Sequence, residues 1–104
     1  MNYIGIDLGT SSVKLVLMDT AGHFIANVSK SYPIDYPKTG WSEQNPYDWY
    51  DACIEGMKEL LDGQDESTVG GISFGGQMHG LVILDDQDQV IRPAILWNDG
   101  RTYE

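Results

Sequence analysis

The sequence predicts an α/β fold in which an antiparallel three-stranded meander is followed by a crossover helix, a parallel strand and a hairpin. Three observations lead to this prediction. Short β-prone segments near the start of the chain are separated by turn residues, a later segment opens with a helix-start signal and keeps helical spacing, and another β-prone segment follows that helix.

Residues 3–8, 13–18 and 24–28 are the strands of the predicted meander. Gly9 follows the first strand and Gly22 follows the second, and glycine permits the chain to reverse tightly at both places. Because the connections are short, consecutive strands are expected to pair antiparallel.

A loop and then a helix follow the meander. Residues 32–44 contain two prolines and show no periodicity, so they are predicted to form a surface loop that Trp41 attaches to the body of the domain. Asn45 caps the helix and Pro46 occupies its first position. Gly63 stops it. Six residues recur at helical spacing and form its predicted buried face: Trp49, Ala52, Cys53, Gly56, Met57 and Leu60.

Residues 69–74 form the strand after the helix, and a strand–helix–strand crossover places this strand parallel to the first one. Residues 81–84 and 89–91 are then expected to form a hairpin around an acidic turn. Residues 93–97 lead into a final turn at 98–101. The sheet is expected to leave one apolar face uncovered.

The composition narrows the possible functions. The chain has 104 residues, with 6 Lys+Arg against 16 Asp+Glu, and a formal net charge of −10. This length corresponds to one domain at most, and the acidity disfavours nucleic-acid and membrane-surface partners. Cys53 is the single cysteine and is expected to act as a small buried hydrophobe. No signal-peptide pattern is present, which predicts a cytoplasmic protein.

The first candidate site lies where the first strand ends, at Asp7 and the turn Gly9-Thr10-Ser11-Ser12. Backbone N–H groups and hydroxyls in such a turn suit phosphate oxygens, a carboxylate at the strand end can hold Mg²⁺ through its waters, and Lys14 adds a positive charge. The same residue types are also typical of a plain hairpin turn. Residue type alone leaves both interpretations open.

The second candidate site is the glycine-rich stretch 75–80, again at a strand end. Gln77 and His79 offer donors and acceptors for hydroxyl groups, and ligands of open α/β sheets bind at strand ends. The alternatives are a solvent-facing His79 and a Met78 that plugs the core. Residues 97–101 suit a sugar, but equally a turn with a surface ion pair.

Four ordered segments together resemble the N-terminal end of the FGGY carbohydrate-kinase family. Residues 1–11 carry Asp-x-Gly-Thr, 40–46 carry Trp-Ser-Glu-Gln-x-Pro, 76–80 carry Met-His-Gly, and 93–101 end in Trp-Asn-Asp-Gly-Arg. The first motif also resembles the phosphate turn of actin-like and Hsp70-like ATPases, whereas the second and third narrow the resemblance to FGGY kinases. Met-His-Gly favours the members that act on D-xylulose over glycerol kinases, which have an Arg-Glu pair there.

The resemblance implies a ribonuclease-H-like, actin-type ATPase fold, of which residues 1–104 are the N-terminal part of the first of two domains. It implies ATP and Mg²⁺ as cofactors, D-xylulose as the sugar, D-xylulose 5-phosphate as the product, and a cytoplasmic full-length homodimer without nucleic-acid or membrane partners. By position, Asp7 is the catalytic and metal-organising residue. Met78 and His79 contact the sugar. The residues along the nucleotide phosphates are Gly9, Thr10, Ser11, Ser12 and Lys14.

Two alternatives stay open. Another FGGY kinase, acting on ribulose, gluconate or a polyol, differs only in its sugar contacts, and a non-catalytic stand-alone binding module is a different class of protein. The family's catalytic base is an aspartate farther along the chain, and its adenine pocket lies in the second domain. The 104-residue chain on its own is therefore predicted to be inactive.

Overall fold

The computed structural model describes residues 1–102, which form a four-stranded sheet with one helix packed against one of its faces. In chain order the elements are β1 (Asn2–Leu8), β2 (Ser12–Asp19), β3 (Phe24–Ser31), β4 (Glu43–Gln44), α1 (Pro46–Leu60), a 3₁₀ turn (Glu66–Thr68), β5 (Val69–Gly76) and β6 (Ala94–Ile95). The strand order of the larger sheet is β3-β2-β1-β5, and β4 pairs with β6 in a two-stranded sheet.

The predicted meander and crossover are confirmed. β1 pairs antiparallel with β2 and parallel with β5, and β2 pairs antiparallel with β3. In this register Leu8 lies opposite Val13 on β2 and opposite Gly76 on β5. The turn at 9–12 and the loop at 76–80 therefore leave the same edge of the sheet, which places the two candidate sites side by side.

The core lies between α1 and one face of the sheet. Alternate residues of a strand point to the same face, and five such residues of β1 and β2 are buried: Ile4, Ile6, Val13, Leu15 and Leu17. They pack with buried residues of α1 such as Ala52 and Leu60. A Cβ at Gly56 would come within 2.6 Å of Leu15 Cδ1, so the absence of a side chain at Gly56 allows α1 to approach the sheet closely.

Helix α1 begins as predicted. The side chain of Asn45 accepts a hydrogen bond from the N–H of Tyr47, and Pro46 occupies the first turn. The helix ends at Leu60, and Gly63, with φ of 77°, turns the chain away from the helix axis. Within residues 1–102, no helix is both long and apolar enough to cross a membrane.

The part of the core between α1 and β5 is only partly covered. Three residues of the predicted buried face of α1 are half-buried, namely Trp49, Cys53 and Met57, and they line an apolar groove with Phe74 of β5. The Phe74 side chain is 74% exposed. Burial raises the pKa of the Cys53 thiol, in agreement with its predicted role as a small hydrophobe. The expected uncovered apolar face is thus present beside β5.

Two segments differ from the prediction in detail. The loop predicted for residues 32–44 ends in β4, because Glu43 and Gln44 pair with Ile95 and Ala94. The predicted hairpin at 81–91 is reduced to one antiparallel bridge, between Leu84 and Val90, while Leu81 bridges to Ile95 instead. The first difference arises from pairing with a segment about 50 positions later, which local periodicity does not reveal.

Candidate functional site

The turn at 9–12 is held by hydrogen bonds to all four of its carbonyl groups. The carbonyl of Ser12 accepts from the N–H of Gly9 at 2.9 Å, that of Ser11 accepts from the N–H of Tyr32 at 3.1 Å, and that of Thr10 accepts from Gln44 Nε2 at 2.5 Å. The Tyr32 hydroxyl bonds the carbonyl of Gly9. Within residues 1–102, no protein acceptor takes the N–H of Thr10 or Ser11, so these two groups are available to an anionic ligand.

The side chain of Tyr32 holds this turn through its hydroxyl group. Its hydroxyl lies within hydrogen-bonding distance of the carbonyl oxygens of Gly9 and Ser12, the latter at 3.0 Å, so its one proton is shared between two acceptors; the residue is only 7% exposed. Burial raises the pKa of Tyr32 to about 12, with smaller contributions from Cys53 and Asp7. The phenol therefore stays neutral, and able to donate, across the physiological range.

Replacing Tyr32 with phenylalanine is expected to lower the free energy of unfolding by about 1–2 kcal/mol below pH 10, through loss of the hydroxyl's hydrogen bonds. A pKa raised in the folded state contributes stability that is fully present below the unfolded value of 10.0 and is lost as the pH rises through about 12. The difference between wild type and Tyr32→Phe should therefore narrow over this interval. Urea denaturation at a series of pH values measures it, and a constant difference would contradict the assignment.

Asp7 and Lys14 lie on the face of the sheet opposite α1. They are directly opposed in the β1–β2 register, and both side chains are exposed. Together with Ser73 and Gly75 they line a shallow recess. Within the described part of the chain, no three His, Cys, Asp or Glu residues are grouped to hold a metal. A single carboxylate fits Mg²⁺ that keeps several waters and is also bound by substrate phosphates.

A second recess, of about 310 Å³, opens where β5 ends, and its walls are Thr10, Gln77, Met78, His79 and Trp97. Met78 is 71% exposed, so it does not plug the core formed by residues 1–102. His79 has φ of 61°, a left-handed conformation that is uncommon for residues other than glycine. The loop thus presents both predicted sugar-contacting side chains, next to the turn at 9–12.

The Thr10 hydroxyl is bonded to other side chains, so it is not free to bind a phosphate oxygen as the sequence predicted. It donates to Gln77 Oε1 at 3.3 Å and accepts from Trp97 Nε1 at 3.0 Å. Its single proton is engaged inside the protein. Thr10 can therefore offer a phosphate its backbone N–H, whereas Ser11 remains exposed.

Gln44 connects this region to the rest of the domain. Its Nε2 donates to the carbonyls of Thr10 and Pro33, and its Oε1 accepts from Trp49 Nε1 at 2.9 Å and Gln77 Nε2 at 3.3 Å. The residue is 1% exposed. Sequence reasoning identified Gln44 only as part of a motif, because its partners lie far apart in the chain.

An ion-pair cluster holds the segment at 97–101 against β4. Arg101 Nη2 lies 2.6 Å from Asp99 Oδ2 and 2.8 Å from Glu43 Oε2, and Arg92 Nη2 lies 2.7 Å from the same Glu43 oxygen. The Arg101 guanidinium also stacks on the Trp41 ring, 3.7 Å from its centroid.

The Asp99–Arg101 pair is more enclosed than the surface ion pair considered from the sequence. The Asp99 side chain is 1% exposed and that of Arg101 is 12% exposed. Hydrogen bonds from Arg101 hold the pKa of Asp99 well below its usual range, and those to Asp99 and Glu43 raise the pKa of Arg101. Trp41, predicted to attach the loop to the body of the domain, contacts Arg101 of the segment at 97–101 and Lys38 of its own loop.

Comparison with known proteins gives one family. The model of the N-terminal domain of the FGGY family of carbohydrate kinases matches residues 2–104. The chain belongs to the FGGY family of carbohydrate kinases.

Relatives and solved structures agree with this assignment. The xylulose kinase of Bacillus subtilis (strain 168) is 52% identical over 101 residues, a match that covers 95% of this chain and 20% of the relative. A crystal structure described as a xyloylose kinase from Brucella ovis superposes with a TM-score of 0.94 at 42% identity, covering 99% of this chain and 22% of that one. The gluconate kinase of Lactobacillus acidophilus gives a TM-score of 0.90 at 36% identity, covering 95% and 20%.

The expected fold class is therefore confirmed as that of an FGGY N-terminal domain, an actin-like ATPase fold. The chain spans about one fifth of the length of these relatives. Both the turn at 9–12 and the loop at 76–80 lie within the region that the FGGY model matches.

Proposed function

We propose that this chain is the N-terminal region of an ATP-dependent sugar kinase that converts D-xylulose and ATP to D-xylulose 5-phosphate and ADP, and we call that complete protein the full-length kinase. One observation carries the proposal: the turn at 9–12 and the loop at 76–80 leave the same sheet edge and share a recess. The free N–H groups of the turn suit phosphate, and the side chains of the loop suit sugar hydroxyls. Family membership supplies the reaction class.

The turn would bind the nucleotide phosphates. In the proposed site the N–H groups of Thr10 and Ser11 donate to phosphate oxygens, Lys14 contributes a positive charge, and Gly9 and Ser12 shape the turn. Asp7 would hold Mg²⁺ through its waters. Bound Mg²⁺ neutralises charge that develops on the phosphoryl group during transfer. With little covalent chemistry for the protein to perform, the contribution of these residues is positioning and electrostatic stabilisation.

Met78 and His79 would receive the sugar. The exposed Met78 offers an apolar surface to the carbon skeleton, and the His79 ring offers hydrogen bonds to hydroxyl groups. A Met-His pair, in place of the Arg-Glu pair of glycerol kinases, favours a five-carbon ketose. The proton acceptor and the adenine pocket are expected elsewhere in the full-length kinase, so the 104-residue chain is expected to be inactive alone.

Gluconate is the second candidate substrate, because the gluconate kinase structure aligns with this chain as well as several of the xylulose kinase structures do. A panel of D-xylulose, D-ribulose, gluconate and glycerol, each supplied to the full-length kinase with MgATP, tests the proposal. The highest kcat/KM is expected for D-xylulose. A preference for gluconate would keep the kinase assignment and replace the substrate, and a protein inactive on every sugar would contradict the kinase assignment.

Replacing His79 with alanine is expected to raise the KM for the sugar about 10-fold, which corresponds to about 1.4 kcal/mol for the lost hydrogen bonding. The KM for ATP should change little, because His79 lies on the loop that follows β5 and outside the turn at 9–12. Steady-state kinetics with each substrate varied in turn measures both constants. His23→Ala, at an exposed turn between β2 and β3, is the matched control. A change confined to the KM for ATP would show that the sugar contact is assigned to the wrong residue.

A further inference from the structure

We propose that Gln44 is a positioning residue that sets the distance between the turn at 9–12 and the loop at 76–80, so that the phosphoryl group and the accepting hydroxyl of the sugar are aligned. This inference rests on the proposed function and adds to it a residue that touches neither substrate.

Every hydrogen-bonding group of the Gln44 side-chain amide has a partner. A glutamine side chain has two N–H donors and an oxygen with two lone pairs, and Gln44 has two acceptors for its Nε2 and two donors to its Oε1. At 1% exposure, water has almost no access to replace any of these partners. Because every hydrogen-bonding group is satisfied, the side chain is fixed in one orientation. It therefore also fixes the positions of the groups bonded to it.

Three of these residues form a closed ring of hydrogen bonds. Gln44 Nε2 donates to the Thr10 carbonyl, Gln77 Nε2 donates to Gln44 Oε1, and the Thr10 hydroxyl donates to Gln77 Oε1. A closed ring fixes three distances at once, whereas a single hydrogen bond fixes one. Thr10 belongs to the proposed phosphate turn and Gln77 immediately precedes the proposed sugar-contacting residues, so the ring joins the two binding segments directly.

The backbone alone would hold the two segments less firmly. The N–H of Gln77 bonds the carbonyl of Leu8 at 2.8 Å, which continues the β1–β5 pairing, but beyond this point Met78 and His79 are exposed. Misplacing reacting groups by about 1 Å can lower a rate about 100-fold. Loss of the ring should therefore reduce transfer to the sugar even when both substrates still bind.

The experiment compares Gln44→Met and Gln77→Met in the full-length kinase. Each removes ring hydrogen bonds while keeping a side chain of similar length. We expect kcat for sugar phosphorylation to fall about 10- to 100-fold, with smaller changes in both KM values. We also expect the ratio of ATP hydrolysed to sugar phosphate formed to rise, because water competes when the sugar hydroxyl is misaligned. Rates are expressed per folded protein, below the unfolding temperature of each variant.

Gln87→Met is the matched control. It makes the same chemical change at an exposed position of the turn at 85–88, outside the ring, so it should leave both kcat and the hydrolysis ratio unchanged. If Gln44→Met does not fold, Gln77→Met decides, because Gln77 is only partly buried. If the wild type is active and Gln77→Met changes neither kcat nor the ratio of ATP hydrolysed to sugar phosphate formed, the positioning role is overturned and the proposed function stands. A wild type that phosphorylates no sugar would overturn the proposed function and this inference with it.

Discussion

Replacing Asp7 with asparagine is expected to lower kcat of the full-length kinase by about 10²- to 10³-fold, the scale for losing one electrostatic contact in a transition state. The KM for the sugar should stay close to the wild-type value, because the sugar-contacting residues belong to the loop after β5. Asparagine keeps the shape of the side chain and removes only its negative charge. A loss of turnover would thus result from the loss of the negative charge, which is needed to bind Mg²⁺.

Steady-state kinetics over a range of Mg²⁺ concentrations measures this effect. Asp86→Asn is the control, since it makes the same chemical change in the exposed turn at 85–88, outside both recesses. Wild-type turnover in Asp7→Asn would remove Asp7 from the catalytic site. An increase confined to the sugar KM would place Asp7 in the sugar site instead.

Replacing Leu15 with alanine is expected to lower the free energy of unfolding by about 3 kcal/mol, within the range for leucine truncation in a core. Leu15 is fully buried. Its side chain lies directly under Gly56, where an added Cβ would come within 2.6 Å of Leu15 Cδ1. Gly56→Ala alone is therefore expected to gain helix propensity but to strain the packing, for little net benefit.

The two substitutions are expected to compensate each other when combined. In a Leu15→Ala background the clash is absent, so Gly56→Ala should recover about 1 kcal/mol or more, from helix propensity and from partial filling of the cavity. Urea denaturation of the wild type, both single variants and the double variant gives the coupling energy. Additive effects would show that α1 does not approach β2 as closely as described.

Local sequence signals predicted the elements whose determinants are contiguous. The meander follows from short turns between β-prone segments, and α1 follows from Asn45, Pro46 and the spacing of its apolar residues. The parallel alignment of β5 follows from the handedness and length of crossover connections. These features required no knowledge of which distant residues meet.

The remaining features depend on distant contacts. Nothing near Gln44 indicates that its amide would bond Thr10 and Gln77, which lie 34 and 33 positions away. Likewise, Glu43 is followed by an ordinary helix start, and its arginine partners lie 49 and 58 positions later. The candidate residues at 7–14 and 78–79 could be named from the sequence, whereas the residues that hold them in place could not.

The central position of β1 has consequences for the order in which the fold assembles. Its pairing with β2 spans a turn of a few residues, and hairpins of this kind form within about 1–10 μs. Pairing with β5 joins residues about 68 positions apart, such as Ile4 and Ile72, and must first close a long loop. The β1–β2 hairpin that carries the turn at 9–12 can thus form early, whereas the other edge of β1 stays unpaired until β5 has been synthesised. During that interval the unpaired edge of β1 can mispair with a strand of another nascent chain.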